Sequence, residues 1–289
     1  MRPPPEDRTV EQLLRFGVVN LDKPPGPSAH QVAAWVRDCL GVEKAAHAGT
    51  LDPTVTGCLP MLTGTATRAA PAFDDAAKEY VAVLELQAAP PEDLPAVVGE
   101  FEGPIYQKPP RRSAVARNLR VREIYDLDVL ERDGRDVLLR VNCEAGTYVR
   151  KLCHDLGLAL GTGANMGDLR RTVAGPFDDA DLASLHDLVD ALAFYREDGD
   201  EGPIRDVVQP AEAALADLPA VTMASNAAEQ VAEGAPVYAP GVLDVDDAAA
   251  PGDLVACYVP SGSAVCLGTL VGDPDAGEGT VVDLERVLV

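Results

Sequence analysis

Residues Lys44–Leu59 read KAAHAGTLDPTVTGCL, without the 3.6-residue apolar period of a helix or the alternation of a strand. Glycines on both sides of its centre permit tight bends, and Pro53 pushes Asp52 towards an extended backbone. The stretch therefore predicts a constrained loop that displays the Asp52 carboxylate, with the His47 imidazole five residues upstream. The alternative is an ordinary helix with Asp52 as its N-cap and Pro53 at its first position.

The rest of the composition predicts a globular chain of one large domain and one small domain. Its length is 289 residues and its apolar content 47%, with no run of 18 apolar residues that would span a membrane. The opening MRPPPEDRTVEQLL lacks the apolar region of a signal peptide, which favours a cytoplasmic protein without a membrane partner. None of the six cysteines forms a C-x-x-C pair, so no metal site is expected. No glycine-rich phosphate loop is present, and we expect no cofactor.

The charge is strongly acidic and unevenly distributed. Asp and Glu number 47 against 24 Lys and Arg, of which only five are Lys, and the net charge is −23. Residues 1–177 carry 21 basic and 24 acidic residues, whereas residues 178–289 carry three basic and 23 acidic ones. Such a surface, poor in lysine, is what adaptation to very high salt predicts, because at about 1 M salt the Debye length is only about 3 Å. The alternative is an acidic protein that avoids nucleic acid, which normally binds basic surfaces.

Local patterns predict the main elements of the larger domain. Phe16–Leu21 has the composition of a short buried strand, and Ser28 suits the N-cap of a helix that Gly41 ends. Alternation of apolar residues predicts two strands. The first begins at Tyr80 and places apolar residues 82, 84 and 86 on the same face as the tyrosine, and the second spans Asp136–Cys143. A helix with Thr147 as N-cap follows, and it would bury residues 149, 152, 153 and 156.

Two further regions stand out by composition. Residues 107–122 gather six cations, which indicates either a solvated helix face or an RNA-contacting surface: Lys108, Arg111, Arg112, Arg117, Arg120 and Arg122. Residues 178–215 repeat leucines at helical spacing, including a stripe from Leu182 to Val189. From about Asp217, short apolar runs are broken by Gly and Pro every 8 to 12 residues, which predicts a small β-barrel or sandwich.

The segment HAGTLDPTVTGCL resembles the catalytic loop of the TruB family of pseudouridine synthases, and especially its dyskerin-like branch, the archaeal H/ACA-guided enzymes. This resemblance implies that Asp52 attacks the target uridine. The NLDKPPGPSAH segment is similar to the family's first motif, which makes Lys23 a support of the active-site loop. The K-E-Y sequence matches the second motif, whose aromatic ring, here Tyr80, stacks on the target base.

The remaining site residues follow from the same resemblance. GTYVRKLCHDLG is similar to the third motif, and it implies that Arg150 pairs with Asp52, orients it and keeps it ionised. ANMGDLRRTVAGPF resembles the segment that closes the uracil pocket, with Leu169 as its apolar wall. Lys23, His47 and Leu169 are thus candidate substrate-binding residues, although core packing alone would also explain Leu169.

The resemblance also implies the architecture. We expect an α+β protein whose mixed α/β catalytic domain, residues 16–215, is built on an antiparallel sheet with the RNA across one face. A small β-barrel PUA domain, an RNA-binding module, would occupy residues 216–289. This part of the resemblance rests on the Gly spacing of GAPVYAPGV and of the runs around it. An N-terminal tail of residues 1–15 would dock on that barrel.

Three functions are compatible with these expectations. The first is a pseudouridine synthase that binds an H/ACA guide RNA and a substrate RNA, with a small zinc-ribbon protein, a Gar-type protein and a kink-turn-binding protein as partners. The second is a stand-alone synthase acting on tRNA. The third is a non-catalytic RNA-binding scaffold of the same fold, against which the presence of Asp52, Tyr80 and Arg150 argues.

Overall fold

The computed structural model describes residues 1–109 and 118–289, and two β-sheets organise them. The first sheet has ten strands in the order β10-β1-β3-β8-β4-β7-β6-β5, with β2 added beside β3 and β9 beside β8. Its strands are β1 (Gly17–Lys23), β2 (Ala45–His47), β3 (Thr56–Thr63), β4 (Lys78–Leu86), β5 (Gly103–Gln107), β6 (Arg120–Asp133), β7 (Asp136–Cys143), β8 (Ala164–Ala174), β9 (Phe177–Asp178) and β10 (Gln209–Pro210).

All pairs in this sheet are antiparallel except β3 with β8, which meet in parallel over only two residue pairs. The apolar alternation in β4 and β7 is as predicted: Ala82, Leu84 and Leu86 are buried, and so are the four odd-numbered residues 137–143. These residues form one hydrophobic core with the helix that follows β7. The mixed α/β domain on a mainly antiparallel sheet is therefore confirmed.

Seven α-helices pack around the two sheets in the described part of the chain. They are α1 (Val10–Arg15), α2 (Ala29–Leu40), α3 (Leu94–Gly99), α4 (Val149–Ala159), α5 (Leu185–Ala193), α6 (Gly202–Val207) and α7 (Ser225–Ala232). Helix α2 begins and ends where its sequence predicts, since the Ser28 hydroxyl accepts a hydrogen bond from the Gln31 amide and Gly41 adopts the left-handed conformation. None of the helices in these described ranges is both long and apolar enough to cross a bilayer.

The second sheet contains the remaining six strands in the order β12-β16-β15-β14-β11-β13, which curve into a nearly closed barrel. They are β11 (Ala220–Met223), β12 (Val237–Tyr238), β13 (Val242–Val245), β14 (Leu254–Tyr258), β15 (Ala264–Leu270) and β16 (Thr280–Val287). The barrel has a hydrophobic core of its own, and α7 packs against strands β15, β12 and β16. The short apolar runs from about residue 217 thus form the predicted β-barrel.

The first residues of the chain bridge the two sheets. The Arg2 guanidinium lies 3.4 Å from the centre of the Phe16 ring and donates hydrogen bonds to the carbonyl oxygens of Ala264 and Leu288. Arg8, which is 1% exposed, donates two hydrogen bonds of 2.7 Å to the Glu212 carboxylate. Because such two-pronged contacts fix orientation as well as distance, they join the N-terminal residues firmly to both sheets.

One local prediction is wrong. Thr147 does not cap α4: the N-cap is Tyr148, and the Thr147 hydroxyl instead donates to the Glu144 carbonyl in the preceding turn. The helical spacing of residues 182–189 corresponds to α5, which packs Leu188 and Leu192 on the core and leaves Val189 52% exposed.

Candidate active site

The loop between β2 and β3 carries Asp52 and contains no helix. A single turn follows the aspartate, closed by a 3.0 Å hydrogen bond from the Val55 amide to the Asp52 carbonyl. Leu51 and Val55 on either side are buried in the core, whereas Asp52 itself is exposed. The prediction of a constrained loop is therefore correct and the alternative of a helix N-cap is wrong.

Lys23, at the end of β1, supports this loop by binding its backbone carbonyl oxygens. Its side chain is fully buried, and its ammonium group donates three hydrogen bonds of 2.9 Å, to the carbonyl oxygens of Pro24, Pro53 and Val55. Burial lowers the pKa of Lys23, and the nearby Asp52 carboxylate opposes that shift. Two of the three acceptors lie within three residues of Asp52, so this one cation fixes the backbone that carries the carboxylate.

Arg150 lies opposite Asp52, in the first turn of α4. Its Nη2 atom is 2.9 Å from Asp52 Oδ2, although the two residues are 98 positions apart, and both side chains are 56% exposed. The start of α4 is held by Gln107, whose buried side-chain amide accepts a 2.8 Å hydrogen bond from the Tyr148 amide and donates to the Tyr148 carbonyl. The helix dipole disfavours a cation in this turn, and the Asp52 carboxylate compensates for it.

A cleft of about 810 Å³ opens beside this ion pair. Among its walls are three of the predicted residues besides Asp52 and Arg150, namely Tyr80, Leu169 and Lys108. Tyr80 and Leu169 are half-buried and contact both neighbouring cores of the first sheet. An apolar wall, an aromatic ring and a carboxylate thus face a space large enough for a flipped nucleoside, which matches the general form of ligand sites.

Tyr80 and Arg171 lie directly opposite each other on β4 and β8. The Arg171 guanidinium lies close enough to the Tyr80 hydroxyl to act on it electrostatically. Burial raises the pKa of Tyr80, and the Arg171 charge acts against that increase. The Tyr80 ring therefore lies beside a buried cation while it forms part of the cleft wall.

Two buried cations at the base of the cleft were not predicted from the sequence. Arg171 is 1% exposed and Lys78 is 6% exposed, and both line the cleft. Lys78 Nζ donates to the carbonyl oxygens of Phe73 and Ala76, and its pKa is lowered to about 8, chiefly by burial and then by Arg171. The arginine pair at 170 and 171 offered a signal, because neighbouring residues in a strand point to opposite faces and one of the two must point inwards.

His47 lies beside the loop and outside the lining of the cleft. Its ring meets the His30 ring edge-on at 4.7 Å, and its buried Nδ1 atom has no hydrogen-bond partner among the residues that the structure describes. Burial lowers the pKa of His47, and the positive charges of His30 and Arg171 lower it further, so the neutral ring is favoured. Its predicted contact with substrate remains a prediction.

The basic segment is described only in part. Lys108 is exposed at the cleft, and Arg120 begins β6. Arg122 donates a 3.1 Å hydrogen bond to Glu144, while its Nε atom has no partner within the described ranges. Arg111, Arg112 and Arg117 lie outside the described residues. Within residues 1–109 and 118–289, no cluster of three or more His, Cys, Asp or Glu side chains could hold a metal ion.

Four family models match the chain, and together they cover most of its length. The TruB family pseudouridylate synthase N-terminal domain matches residues 37–149, and the tRNA pseudouridylate synthase B C-terminal domain matches residues 150–216. The DKCLD domain matches residues 3–33 and the PUA domain residues 219–276. The C-terminal barrel therefore corresponds to the predicted PUA domain.

Whole-chain relatives agree with these matches. A protein of Halobacterium salinarum named "Probable tRNA pseudouridine synthase B" is 64% identical, with 100% of this chain and 99% of the relative aligned. A protein of the same name from Haloarcula marismortui is 61% identical, and the alignment covers 100% of this chain and 94% of the relative. Another from Methanopyrus kandleri is 48% identical, with 99% of this chain and 86% of the relative aligned. Relatives in two salt-loving genera accord with the interpretation of the acidic surface.

Solved structures resemble the chain over the same extent. The Cbf5 chain of a Cbf5-Nop10-Gar1 complex is 47% identical with a TM-score of 0.95, and the alignment covers 100% of this chain and 89% of that chain. A chain of an H/ACA ribonucleoprotein bound to a substrate RNA containing 2′-deoxyuridine is 45% identical with a TM-score of 0.92. This alignment covers 99% of this chain and 89% of that chain. With the same motifs, the same fold and relatives along its whole length, this chain belongs to the TruB family of pseudouridine synthases.

Proposed function

We propose that this pseudouridine synthase acts as the catalytic subunit of an H/ACA-type ribonucleoprotein and isomerises uridines that a guide RNA selects. The observation that carries this proposal is the likeness to Cbf5 over the whole chain, with TM-scores of 0.92 and 0.95 to chains solved in such complexes. The same likeness suggests the partners: a guide RNA, a substrate RNA, a small zinc-ribbon protein like Nop10, a Gar-type protein and a kink-turn-binding protein. The domain limits 1–15, 16–215 and 216–289 belong to the same proposal.

In the proposed reaction, the target uridine leaves its stack and enters the cleft, where the Tyr80 ring offsets part of the lost stacking energy. The Asp52 carboxylate attacks the nucleoside, either at ribose C1′ or on the base. The bond between N1 and C1′ breaks, the uracil ring rotates, and C5 forms the new bond to C1′. The proton that C5 loses is balanced by the proton that N1 gains, so the reaction is an isomerisation.

The other cleft residues would hold these groups in place. Arg150 orients the carboxylate through the 2.9 Å contact, and Lys23 fixes the backbone around it. Leu169 forms the apolar wall against the base, which excludes water from the reacting atoms. Orientation of this kind is worth a large factor in rate, because a misplacement of about 1 Å can cost about 10²-fold.

Guidance by RNA would compensate for the small amount of basic surface that the protein offers to RNA. Among the described cations of the predicted RNA-binding segment, Arg122 already pairs with Glu144. A net charge of −23 gives little attraction for free RNA. Base pairing between guide and substrate can supply both affinity and sequence choice, which leaves the protein to position the duplex and open one uridine.

The test is a multiple-turnover assay of pseudouridine formation in about 2 M salt. We expect rapid conversion of a guide-matched substrate by the particle reconstituted with guide RNA and the three partner proteins, and slow conversion by the protein alone. A guide with a mismatched pairing region is the control, and it should abolish conversion. Equal rates with matched and mismatched guides would contradict the proposal.

The second candidate is a stand-alone tRNA synthase, which the names of the curated relatives favour. It predicts that the protein alone converts a tRNA stem-loop as fast as the full particle converts its guided target. Running both substrates in parallel therefore separates the two candidates.

A further inference from the structure

Arg171 links three parts of the cleft that are distant in sequence. Its Nε atom donates a 2.8 Å hydrogen bond to the Cys58 carbonyl in β3, and its Nη2 atom lies 3.4 Å from the Gly49 carbonyl in the Asp52 loop. Tyr80 on β4 lies directly opposite Arg171 on β8, and the guanidinium acts electrostatically on the Tyr80 hydroxyl. One planar group thus lies between the loop, three residues before Asp52, and the aromatic ring on β4.

Gly49 in the loop and Gly57 in β3 leave room for Arg171. Gly57 pairs with Arg171 in the short parallel contact of β3 and β8, and a Cβ atom there would lie 2.2 Å from the Arg171 carbonyl oxygen. Gly49 has a φ of +92°, and a Cβ atom on it would lie 3.2 Å from Arg171 Nη1. Both glycines are therefore required where the backbone approaches Arg171.

The positive charge of Arg171 has no carboxylate partner within 4 Å among the described residues. Its neighbour Arg170 differs, because it points to the other face and pairs with Asp22 at 2.9 Å and Asp179 at 3.5 Å. A buried cation is costly to desolvate, and an apolar side chain of similar volume is often at least as stabilising. Stability alone therefore does not account for an arginine here.

We propose that Arg171 is a positioning residue for the isomerisation: it fixes the distance between the loop that carries Asp52 and the ring of Tyr80. The inference rests on the roles proposed above for those two residues. A base stacked on Tyr80 must present its glycosidic bond to the carboxylate, so the spacing of the loop and the ring affects the rate. The planar guanidinium donates in two fixed directions, to Cys58 and Gly49, beside Tyr80, whereas an ammonium group on a flexible stem would not hold this geometry.

The first experiment compares Arg171→Lys with Arg170→Lys in the complete particle at high salt. Arg171→Lys keeps the charge but cannot donate to both the Cys58 and the Gly49 carbonyl in the same geometry. We expect its single-turnover rate to fall about 10²-fold while the Kd for substrate RNA stays within about threefold. Arg170→Lys, on the same strand but the opposite face, should change both quantities by less than about threefold.

The second experiment needs no turnover. The pKa of the Tyr80 phenol can be followed by NMR of tyrosine labelled with ¹³C at Cζ, with the signal assigned by its loss in Tyr80→Phe. In Arg171→Gln the adjacent cation is removed, so we expect this pKa to rise above that of the unmodified protein. Arg170→Gln should leave it unchanged. General loss of packing would instead expose the ring and lower the pKa towards its ordinary value.

These outcomes separate the inference from the proposed function. Turnover by Arg171→Lys at the unmodified rate would overturn the inference, and so would a Tyr80 pKa that falls or does not change in Arg171→Gln. Turnover by an Asp52→Asn variant would overturn the proposed function instead. If the Arg171 variants do not fold, Tyr80→Phe removes the hydroxyl and keeps the ring; a rate at least tenfold lower with unchanged RNA binding is expected, and an unchanged rate would contradict the inference.

Discussion

In the cleft and directly behind its Asp52 loop, three cationic side chains are buried and bound to backbone carbonyl oxygens, whereas in residues 219–289 one arginine is outnumbered by eleven carboxylates. Lys23, Lys78 and Arg171 are shielded from solvent, and salt screens buried charges only weakly. Glu278 and the other exposed acidic residues of the barrel interact through water, where screening is strong. Buried cations in this chain therefore fix geometry, whereas exposed anions determine how the barrel responds to salt.

The largest expected effect tests the geometric side of this comparison. Asp52→Asn keeps the shape of the side chain and removes its charge, so we expect pseudouridine formation to fall to background while RNA binding stays near that of the unmodified protein. A matched control is Asp128→Asn, because Asp128 forms a similarly exposed ion pair with Arg140 at 2.7 Å. Loss of activity in both variants would mean that surface charge, and not the position of Asp52, controls the rate.

Arg150→Ala should have the second largest effect. Removal of the cation that orients Asp52 is expected to lower the single-turnover rate by about 10²-fold or more. The melting temperature should change little, because exposed ion pairs contribute only about 0–1 kcal/mol. Arg140→Ala is the control for both measurements. A large loss of stability with an unchanged rate would show that the pair with Asp52 serves the fold.

Salt should affect the barrel more than the cleft. Melting curves in 0.1 M and about 2 M salt are expected to differ by many degrees, with the high-salt form more stable, because screening relieves repulsion among the acidic residues. Three neutral substitutions in the barrel, Asp244→Asn, Asp247→Asn and Glu278→Gln together, should reduce this dependence. The same number around the first sheet, Glu92→Gln and Glu100→Gln beside α3 and Asp133→Asn in β6, should reduce it less. Equal reductions would remove the proposed difference between the regions.

The smallest expected effect is a pH dependence from Lys78. Its pKa is about 8 in the folded protein, against 10.5 for an unperturbed lysine. Below pH 8 the Lys78 side chain is charged in both the folded and the unfolded protein, so the full cost of burying the charge destabilises the folded state. Between pH 8 and 10.5 only the unfolded chain keeps the proton, so stability increases with pH. Relative to Lys78→Met, the free energy of unfolding should therefore rise by up to about 3 kcal/mol across this window.

Denaturant unfolding at pH 7, 8, 9 and 10 measures that difference. The comparison with Lys78→Met cancels the contribution of the buried cysteines, whose raised pKa values act in the opposite direction above pH 9. A difference that is constant with pH would show that Lys78 keeps an ordinary pKa.

Most of the fold followed from periodicity and from the motifs. Helix α2 has local signals at both ends, and the strands β4 and β7 alternate clearly, so their prediction needed no tertiary information. The contact of Asp52 with Arg150 was expected only through the family resemblance, because no local pattern relates residues 98 positions apart. The division of the chain at residues 215 and 216, and the roles of the site residues, remain predictions.

The unpredicted features depend on tertiary packing. Arg171 and Lys78 are ordinary strand residues by sequence, and an exposed position is the usual place for such side chains. Their burial follows from the sheet order, which brings β8 between β3 and β4 and turns one face towards the cleft. The start of α4 was misplaced for a related reason, since Gln107 on a distant strand holds Tyr148.

The contacts of Arg2 with Ala264 and Leu288 have a consequence for the biogenesis of the protein. During synthesis the second residue leaves the ribosome long before residue 288, so this junction cannot close until residue 288 has been made. Its sequence separation of 286 residues makes the closure of this contact costly in conformational entropy. The ten-stranded sheet, whose strand β10 ends at Pro210, can therefore assemble before the joint with the barrel closes. A nascent chain stalled before residue 264 would hold Arg2 without either carbonyl partner.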